Sequence, residues 1–363
     1  MNSAILTMYA KLSALGMQFF FISIGILGIG FLIGFHEFGH FLFCKLFDIA
    51  TPTFSIGMGP QVLKKKLGQT EFALSAIPMG GYVEIEPASF NKKPWIQKML
   101  VIAGGILFNM LFAYVALSAL FYAGMPQTAL TYPYHATTVI EQVRDDSPAQ
   151  TIGLVNGDTI VGYNGISSPR STELIEYIRS HPAQSITLSI IKDNASEATT
   201  QTVTIGSKEL PCAVGQPAQT IGYLGIEFAM RRYGFIQSIH HGISTTHTLM
   251  MQVLAGFKAI VAKKAVGQLG GPLMVIFQTV KGAEKGALFF LFLLAFISVN
   301  LAVLNILPLP IMDGGQALLI TIESIKGSPL SETIKTYIQY ASWLLVLALV
   351  ITLSIKDMIF FCK

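Results

Sequence analysis

Four stretches of this chain are long, apolar and free, or nearly free, of charged side chains: residues 17–44, 99–124, 286–312 and 338–355. The first is 28 residues long, more than the roughly 20 that a helix needs to cross the hydrocarbon core of a bilayer. In that medium every backbone N–H and C=O must be paired within the chain, so continuous apolar runs of this kind are helices. A 363-residue sequence that is 52% hydrophobic and only 12% charged excludes an ordinary soluble domain. The first run exceeds the ~7 to 15 residue core of a cleavable signal peptide, and no small-residue cleavage site follows, so it is expected to stay in the mature protein.

Lysine distribution sets the expected orientation. Residues 45–98 carry seven lysines in 54 residues, against twelve Lys or Arg in the 161 residues 125–285. By the positive-inside rule the short segment is cytoplasmic, and both termini and the long loop are extracytoplasmic. The net charge of +4 is spread along the chain with no basic run interleaved with aromatics, so nucleic acid is not expected as a partner. Cys44, Cys212 and Cys362 are scattered and odd in number, and give no disulfide framework.

Between the first two runs, T-F-S-I-G-M-G-P, Q-V-L-K-K-K and F-A-L-S-A-I-P-M-G-G-Y-V-E-I read as short extended pieces, expected to form small β-hairpins at the membrane face. Residues 136–228 have the composition of a small soluble domain. T-T-V-I-E-Q-V, D-T-I-V-G-Y, S-I-T-L-S-I-I and T-Q-T-V-T-I read as strands, with an Asn164-Gly165 hairpin turn after the second. Ser171 is expected to cap a short helix that has Leu174, Ile175 and Ile178 on one face. Residues 233–285 mix apolar and basic residues and read as an amphipathic, membrane-associated segment, re-entrant or lying on the surface. Its His240, His241 and His247 read as solvated groups rather than a second metal site.

The chemically unusual residues of the apolar runs are His36, Glu37 and His40, in G-F-H-E-F-G-H-F-L-F-C-K, residues 34–45. On a helix the two histidines share one face, and H-E-x-x-H is the spacing by which two imidazoles bind one zinc ion with a glutamate beside them. A charge at mid-span costs about 2.5 to 3.5 kcal/mol or more, so ionisable groups there mark function. Catalytic zinc usually takes three protein ligands and leaves one position open. The carboxylate that fits is Asp313, in N-I-L-P-L-P-I-M-D-G-G, residues 305–315; its alternative role is a helix N-cap at the interface. Pro308 and Pro310 break that helix, and irregular backbone at membrane depth survives only inside protein or beside water. The break is therefore expected to line a hydrated cavity. Cys44 continues the histidine stripe and is either a rival ligand or a small buried hydrophobe. Asn109 is expected to bond a neighbouring helix or support the site. These parts imply peptide-bond hydrolysis with Glu37 moving the proton. A substrate helix must first be drawn out, and the strand-like pieces in 53–85 offer an edge for it.

With these residues in place, the chain resembles the site-2 protease family of intramembrane zinc metalloproteases, in particular bacterial, regulator of sigma-E protease-like members with a PDZ domain between the second and third spans. The matching segments are H-E-F-G-H at 36–40, A-G-G-I-L-F-N at 103–109, G-Q-L-G-G-P-L-M-V at 267–275 and N-I-L-P-L-P-I-M-D-G-G at 305–315. D-S-P-A-Q-T-I-G-L-V-N-G-D-T-I-V-G-Y-N-G, residues 146–165, is similar to bacterial PDZ domains. G-Y-L-G-I, formed by Gly222, Tyr223, Leu224, Gly225 and Ile226, looks like their carboxylate-binding loop, placed after the other strands as in a permuted PDZ fold. The resemblance implies one zinc ion per chain held by His36, His40 and Asp313, Glu37 as acid and base, and Asn305, with the Pro308 and Pro310 break, positioning substrate. It also implies a bacterial inner membrane setting and substrates that are anti-sigma factors already trimmed by another protease, or remnant signal peptides.

The expected fold is a polytopic α-helical membrane protein of about four transmembrane helices, with an inserted β-rich PDZ-like domain and a membrane-associated β-hairpin region. The expected divisions are 1–124, with the first two spans; 136–228, the PDZ-like domain; 233–285, amphipathic; and 286–363, the last two spans. Two other classes compete with an active protease. A non-catalytic membrane PDZ scaffold would retain an idle metal site, and a metal transporter would need polar residues on several spans, whereas here only the first and third supply ligands.

Overall fold

The computed structural model describes residues 3–128, 130–210, 219–261 and 271–361. Cys212, Cys362 and residues 267–270 of the G-Q-L-G-G-P segment lie outside them. The chain falls into two compact units, Met1–Leu120 with Phe235–Lys363, and Phe121–Gly234.

In the first unit α1 (Ser3–Leu46) runs without a proline through the first apolar stretch. Next come β1 (Thr53–Leu67), β2 (Thr70–Val83), the short α2 (Pro87–Asn91) and α3 (Trp95–Ala123). Instead of several small hairpins, β1 and β2 form one long, bulged pair. Gly68, at φ +63°, turns the chain between the paired residues Leu67 and Thr70. The pair then curls on itself, because residues 53–56 lie beside both 71–74 and 81–83. One outer edge of this sheet is the segment 81–83.

The second unit is β3 (Ala136–Val143), α4 (Pro148–Thr151), β4 (Thr159–Tyr163), β5 (Ile166–Ser167), α5 (Ser171–Ser180), β6 (Ser185–Ile191), β7 (Ala198–Thr204), β8 (Gly206–Leu210), β9 (Gln219–Tyr223) and β10 (Ile226–Met230). Its main sheet has the order β10-β3-β4-β6-β7, with β5 on β4, and β8 pairs with β9. The last strand thus lies beside the first. Asn164 and Gly165 both take positive φ, 46° and 82°, as the two-residue turn from β4 to β5 requires. β6 alternates in burial and sends Ile186, Leu188 and Ile190 into a core with Ile140, Ile160, Leu174 and Phe228. Ser171 is not the cap of α5. It is the first helical residue, buried, and its hydroxyl donates to the carbonyls of Pro133 and Ala136, while Glu173 accepts from the Arg170 N–H.

The chain continues in α6 (Phe235–Val261), α7 (Pro272–Glu284), α8 (Ala287–Ile306), α9 (Asp313–Lys326) and α10 (Glu332–Phe361). Among the described residues, four helices are long and apolar enough to cross a membrane: Leu15–Leu46 within α1, α3, α8, and Glu332–Ile359 within α10. The third ends at Ile306 rather than at 312. Pro308 and Pro310 have no N–H with which to continue the ladder, and residues 307–312 form an irregular break before α9. Asp357 of α10 is buried, and its two carboxylate oxygens accept the N–H groups of Gly271 (3.0 Å) and Met274 (2.9 Å) at the start of α7.

In the β-rich unit Asp158 is fully buried and accepts bonds from the N–H groups of Val155 and Asp193 and from Lys192 Nζ, at 2.9–3.0 Å. Burial by itself raises its pKa, but these donors outweigh burial and hold the carboxyl below its ordinary value. Such a group adds stability above the unfolded carboxyl pKa of about 3.9, and that stability is lost as pH falls through the folded value. Asp158→Asn is expected to destabilise this unit by about 1.5 to 3 kcal/mol at neutral pH and to flatten its loss of stability in acid. Hydrogen exchange of the β4 amides in the full chain measures both.

Candidate metal centre and peptide groove

The centre starts from a contact between two helix backbones. A Cβ placed on Gly39 of α1 would strike the Gly104 carbonyl of α3, and a Cβ on Gly104 would lie 2.6 Å from the Gly39 carbonyl oxygen. Only glycine at both positions permits that approach. One residue further along α3, a Cβ on Gly105 would collide with the imidazoles of His36 and His40. The two rings therefore pack against bare α3 backbone, where His40 Nδ1 meets the Val101 carbonyl oxygen at 2.8 Å and His36 Nδ1 meets the Asn109 side-chain amide at 3.0 Å.

Asp313 reaches the same place by a different route. It is the first residue of α9, directly after the proline break. Cβ atoms on Gly314 and Gly315 would collide with the carbonyls of Ile306 and Leu309, so the break folds tightly back on the start of α9. That brings Asp313 Oδ2 to 3.2 Å from His36 Nε2 and Oδ1 to 3.5 Å from His40 Nε2, while the two Nε2 atoms are 3.2 Å apart. Two of these residues are buried and the third nearly so.

This donor set fits a metal ion. A carbonyl can only accept, so a neutral His40 carries its proton on Nδ1 and leaves Nε2 as a bare lone pair. That lone pair faces a second imidazole nitrogen and a carboxylate, and Asp313 Oδ2 is buried with no hydrogen-bond partner. Electron-rich atoms gathered in this way repel unless a cation sits between them. Zinc bound at about 2.0 to 2.1 Å in a tetrahedron holds its ligand atoms about 3.4 Å apart, close to the 3.2 Å between the two Nε2 atoms and the 3.2 Å from His36 Nε2 to Asp313 Oδ2.

Glu37 stands beside this cluster, half-buried on α1. Its Cγ is 3.4 Å from where a Cβ on Gly81 would lie, so it faces the 81–83 edge of the curled sheet. Asn305 lies in the last turn of α8, half-buried, and its side chain makes no hydrogen bond among the described residues. Pro308 is exposed and Pro310 half-buried within the break. Cys44 is fully buried against Ile49 and Val101, packed as a hydrophobe. His247 Nε2 lies 2.8 Å from the Tyr114 hydroxyl, and the rings of His240 and His241 touch each other.

In the β-rich unit, Gly222, Tyr223, Leu224, Gly225 and Ile226 line a cavity of about 840 Å³ together with Ile175 and Ile178 of α5. Gly222 and Tyr223 end β9 and Ile226 begins β10, so the loop proper is Leu224 and Gly225. Their carbonyls accept from Ala149 and Arg144, while their own N–H groups have no partner among the described residues. Gly225 has φ +79°, and a Cβ there would collide with the Ser147 side chain.

A model described as Peptidase family M50 matches residues 24–349, a span that takes in His36, Glu37, His40, Asn109, Asn305 and Asp313. The chain belongs to peptidase family M50. Among its relatives, a protein of Clostridium acetobutylicum provisionally named a zinc metalloprotease is 29% identical over 95% of this chain and 99% of its own length. Protease RseP of Yersinia pestis is 25% identical over 86% of this chain and 92% of its own. Zinc metalloprotease RasP of Bacillus licheniformis is 24% identical over 90% and 96%. Among solved structures, the PDZ domain of an SdrC-like protein from Listeria monocytogenes aligns with 27% of this chain and 92% of its own at 21% identity, with a TM-score of 0.20. The chain is thus a metalloendopeptidase of the site-2 type, from a zinc-dependent family of membrane proteases.

The H-E-x-x-H and D-G-G patterns point to the donors, but Gly39, Gly105 and the Val101 carbonyl carry no chemical signal of their own. The A-G-G-I-L-F-N segment was their trace in the sequence. Gly105→Ala is expected to lower bound zinc by about tenfold or more while leaving helix content unchanged. Metal analysis and circular dichroism on the purified protein measure the two.

Proposed function

We propose that this M50 peptidase cleaves a peptide bond within a transmembrane segment of single-pass membrane proteins, with His36, His40 and Asp313 holding one zinc ion and Glu37 transferring the proton. The observation that carries this reading is the convergence of His36 and His40, on a helix of membrane-spanning length, with the Asp313 carboxylate, whose buried Oδ2 has no hydrogen-bond partner, at 3.2 to 3.5 Å. Zinc, when bound, polarises the scissile carbonyl and makes water acidic near neutral pH. Glu37, the neighbour of His36 on α1, accepts the proton of the attacking water and returns it to the leaving nitrogen.

The residues around the centre suit an extended substrate. Segment 81–83 forms one edge of a sheet, with Glu37 against it. A strand laid on that edge replaces the hydrogen bonds that the substrate helix gives up when it unwinds. The free amide of Asn305, with the Pro308 and Pro310 break, is placed in this reading to hold the substrate backbone. In the second unit the two N–H groups of Leu224 and Gly225, at the wall of a cavity lined by Ile175 and Ile178 together with Arg144, Arg179 and Lys208, suit a peptide carboxylate. That supports substrates with a newly made C-terminus, trimmed beforehand by another protease. Anti-sigma factors and remnant signal peptides are both of this kind. The lysine-rich 45–98 segment supports an inner-membrane topology with both termini and the β-rich unit extracytoplasmic.

Glu37→Gln is expected to lower cleavage by about 10²- to 10⁴-fold with the zinc content of the wild type. The test is to co-express wild type or mutant in cells and compare accumulating membrane fragments by proteomics. Fragments trapped only by the mutant name the substrates. Unchanged cleavage rules out this mechanism, and purified wild type without stoichiometric zinc favours the non-catalytic scaffold.

A further inference from the structure

We propose that Asn109 is a positioning residue that fixes the tautomer of His36, so that Nε2 rather than Nδ1 is left free for the metal. The inference rests on the reading of His36, His40 and Asp313 as the zinc ligands.

For His40 the selection is already made, because Nδ1 must donate to the Val101 carbonyl and Nε2 is left bare. His36 presents its Nε2 to the same point, 3.2 Å from both His40 Nε2 and Asp313 Oδ2. To be bare there, its Nδ1 must carry the proton and needs an acceptor. The neighbour of Nδ1 is the Asn109 amide, at 3.0 Å.

Asn109 has no exposed surface, yet its Oδ1 is buried without a hydrogen-bond partner. His36 is the amide's one partner among the described residues, so only one end of it is satisfied in either orientation. A half-turn of the amide exchanges oxygen and nitrogen at almost unchanged shape. It places Oδ1 on Nδ1–H, where it accepts the proton that the metal-binding tautomer puts there. The Asn109 backbone is held independently of this, because the buried Ser298 of α8 donates its hydroxyl to the Asn109 carbonyl at 2.8 Å. The side chain is therefore free to serve His36 alone. The two ligand histidines then use the same device, with a backbone acceptor on one and a side-chain acceptor on the other, both supplied by α3.

The test is zinc affinity, by chelator competition on the full-length protein in detergent, for four forms. Wild type must bind zinc; if it does not, the zinc-site reading itself fails. Asn109→Leu, close in size and without an acceptor, is expected to weaken zinc binding by about 10- to 100-fold. Asn109→Asp keeps an acceptor at the same place and is expected to hold zinc within a few-fold of wild type. Ser298→Ala, which removes the neighbouring bond without touching His36, is expected to leave zinc affinity unchanged. If Asn109→Leu does not fold, Asn109→Ala gives the same comparison. Wild-type affinity in Asn109→Leu overturns the proposal. Equal losses in the Leu, Asp and Ser298→Ala variants also overturn it, because they would mark Asn109 as a packing residue.

Discussion

The centre depends on the crossing of α1 and α3 at Gly39 and Gly104, where two helices meet with no side chain between them. Apolar helices in a bilayer gain little hydrophobic energy from associating with one another, and small residues at the contact let dispersion and polar contacts take over. Here the gain is chemical as well. With the backbones this close, the Val101 carbonyl comes within reach of His40, and Asn109 within reach of His36. A leucine-lined crossing would put both acceptors several ångströms too far away. The polar connection then passes from Asn109 to Ser298 of α8, the helix that ends just before the break leading to Asp313. The apolar bundle is thus pinned around its ionisable residues by a short series of hydrogen bonds.

The third donor depends on backbone that is not helical. A continuous α8 would carry the chain past residue 312, whereas the prolines end it at Ile306 and the paired glycines let the chain fold back within a few residues. Asp313 is the first helical residue of α9, one past the N-cap Met312, and its Oδ2 has no hydrogen-bond partner. An acid at this place in the sequence admits either role, cap or ligand. The orphaned oxygen favours the metal-ligand reading proposed above.

The spans and the three donors were legible because their signals are chemical. Long runs without charge are rare in soluble chains, and two histidines, a glutamate and a distant aspartate in such runs are costly unless used. What was not legible depends on backbone shape. Residues 53–56 lie between 71–74 and 81–83 through bulges that no alternation pattern announces, so the segment reads as several short hairpins. Ser171 has the residue type of a cap, but the carbonyls of Pro133 and Ala136, from a remote segment, claim its hydroxyl. Gly105 is one glycine among 33, and only the coordinates show that two imidazoles occupy the space of its missing Cβ.

Asp357 gives the sharpest contrast. The sequence points to a single carboxylate, Asp313, as a partner for the histidines, and its fourth apolar run ends at 355; the helix long and apolar enough to span continues to Ile359 and takes Asp357 with it. Both aspartates are largely shielded from solvent and both stand beside helix N-termini. The oxygens of Asp357 are each paired with an N–H at the start of α7, where a carboxylate complements the orphan donors and the positive end of the helix dipole. That is a complete account of a buried charge, and it makes Asp357 a fastener between α7 and α10. Asp313 has no such account, and its oxygens face two imidazole nitrogens instead. Within an apolar bundle, then, burial alone does not separate a structural acid from a catalytic-site acid. The separation comes from asking whether the protein has already supplied donors to each oxygen, and of these two acids it has done so only for Asp357.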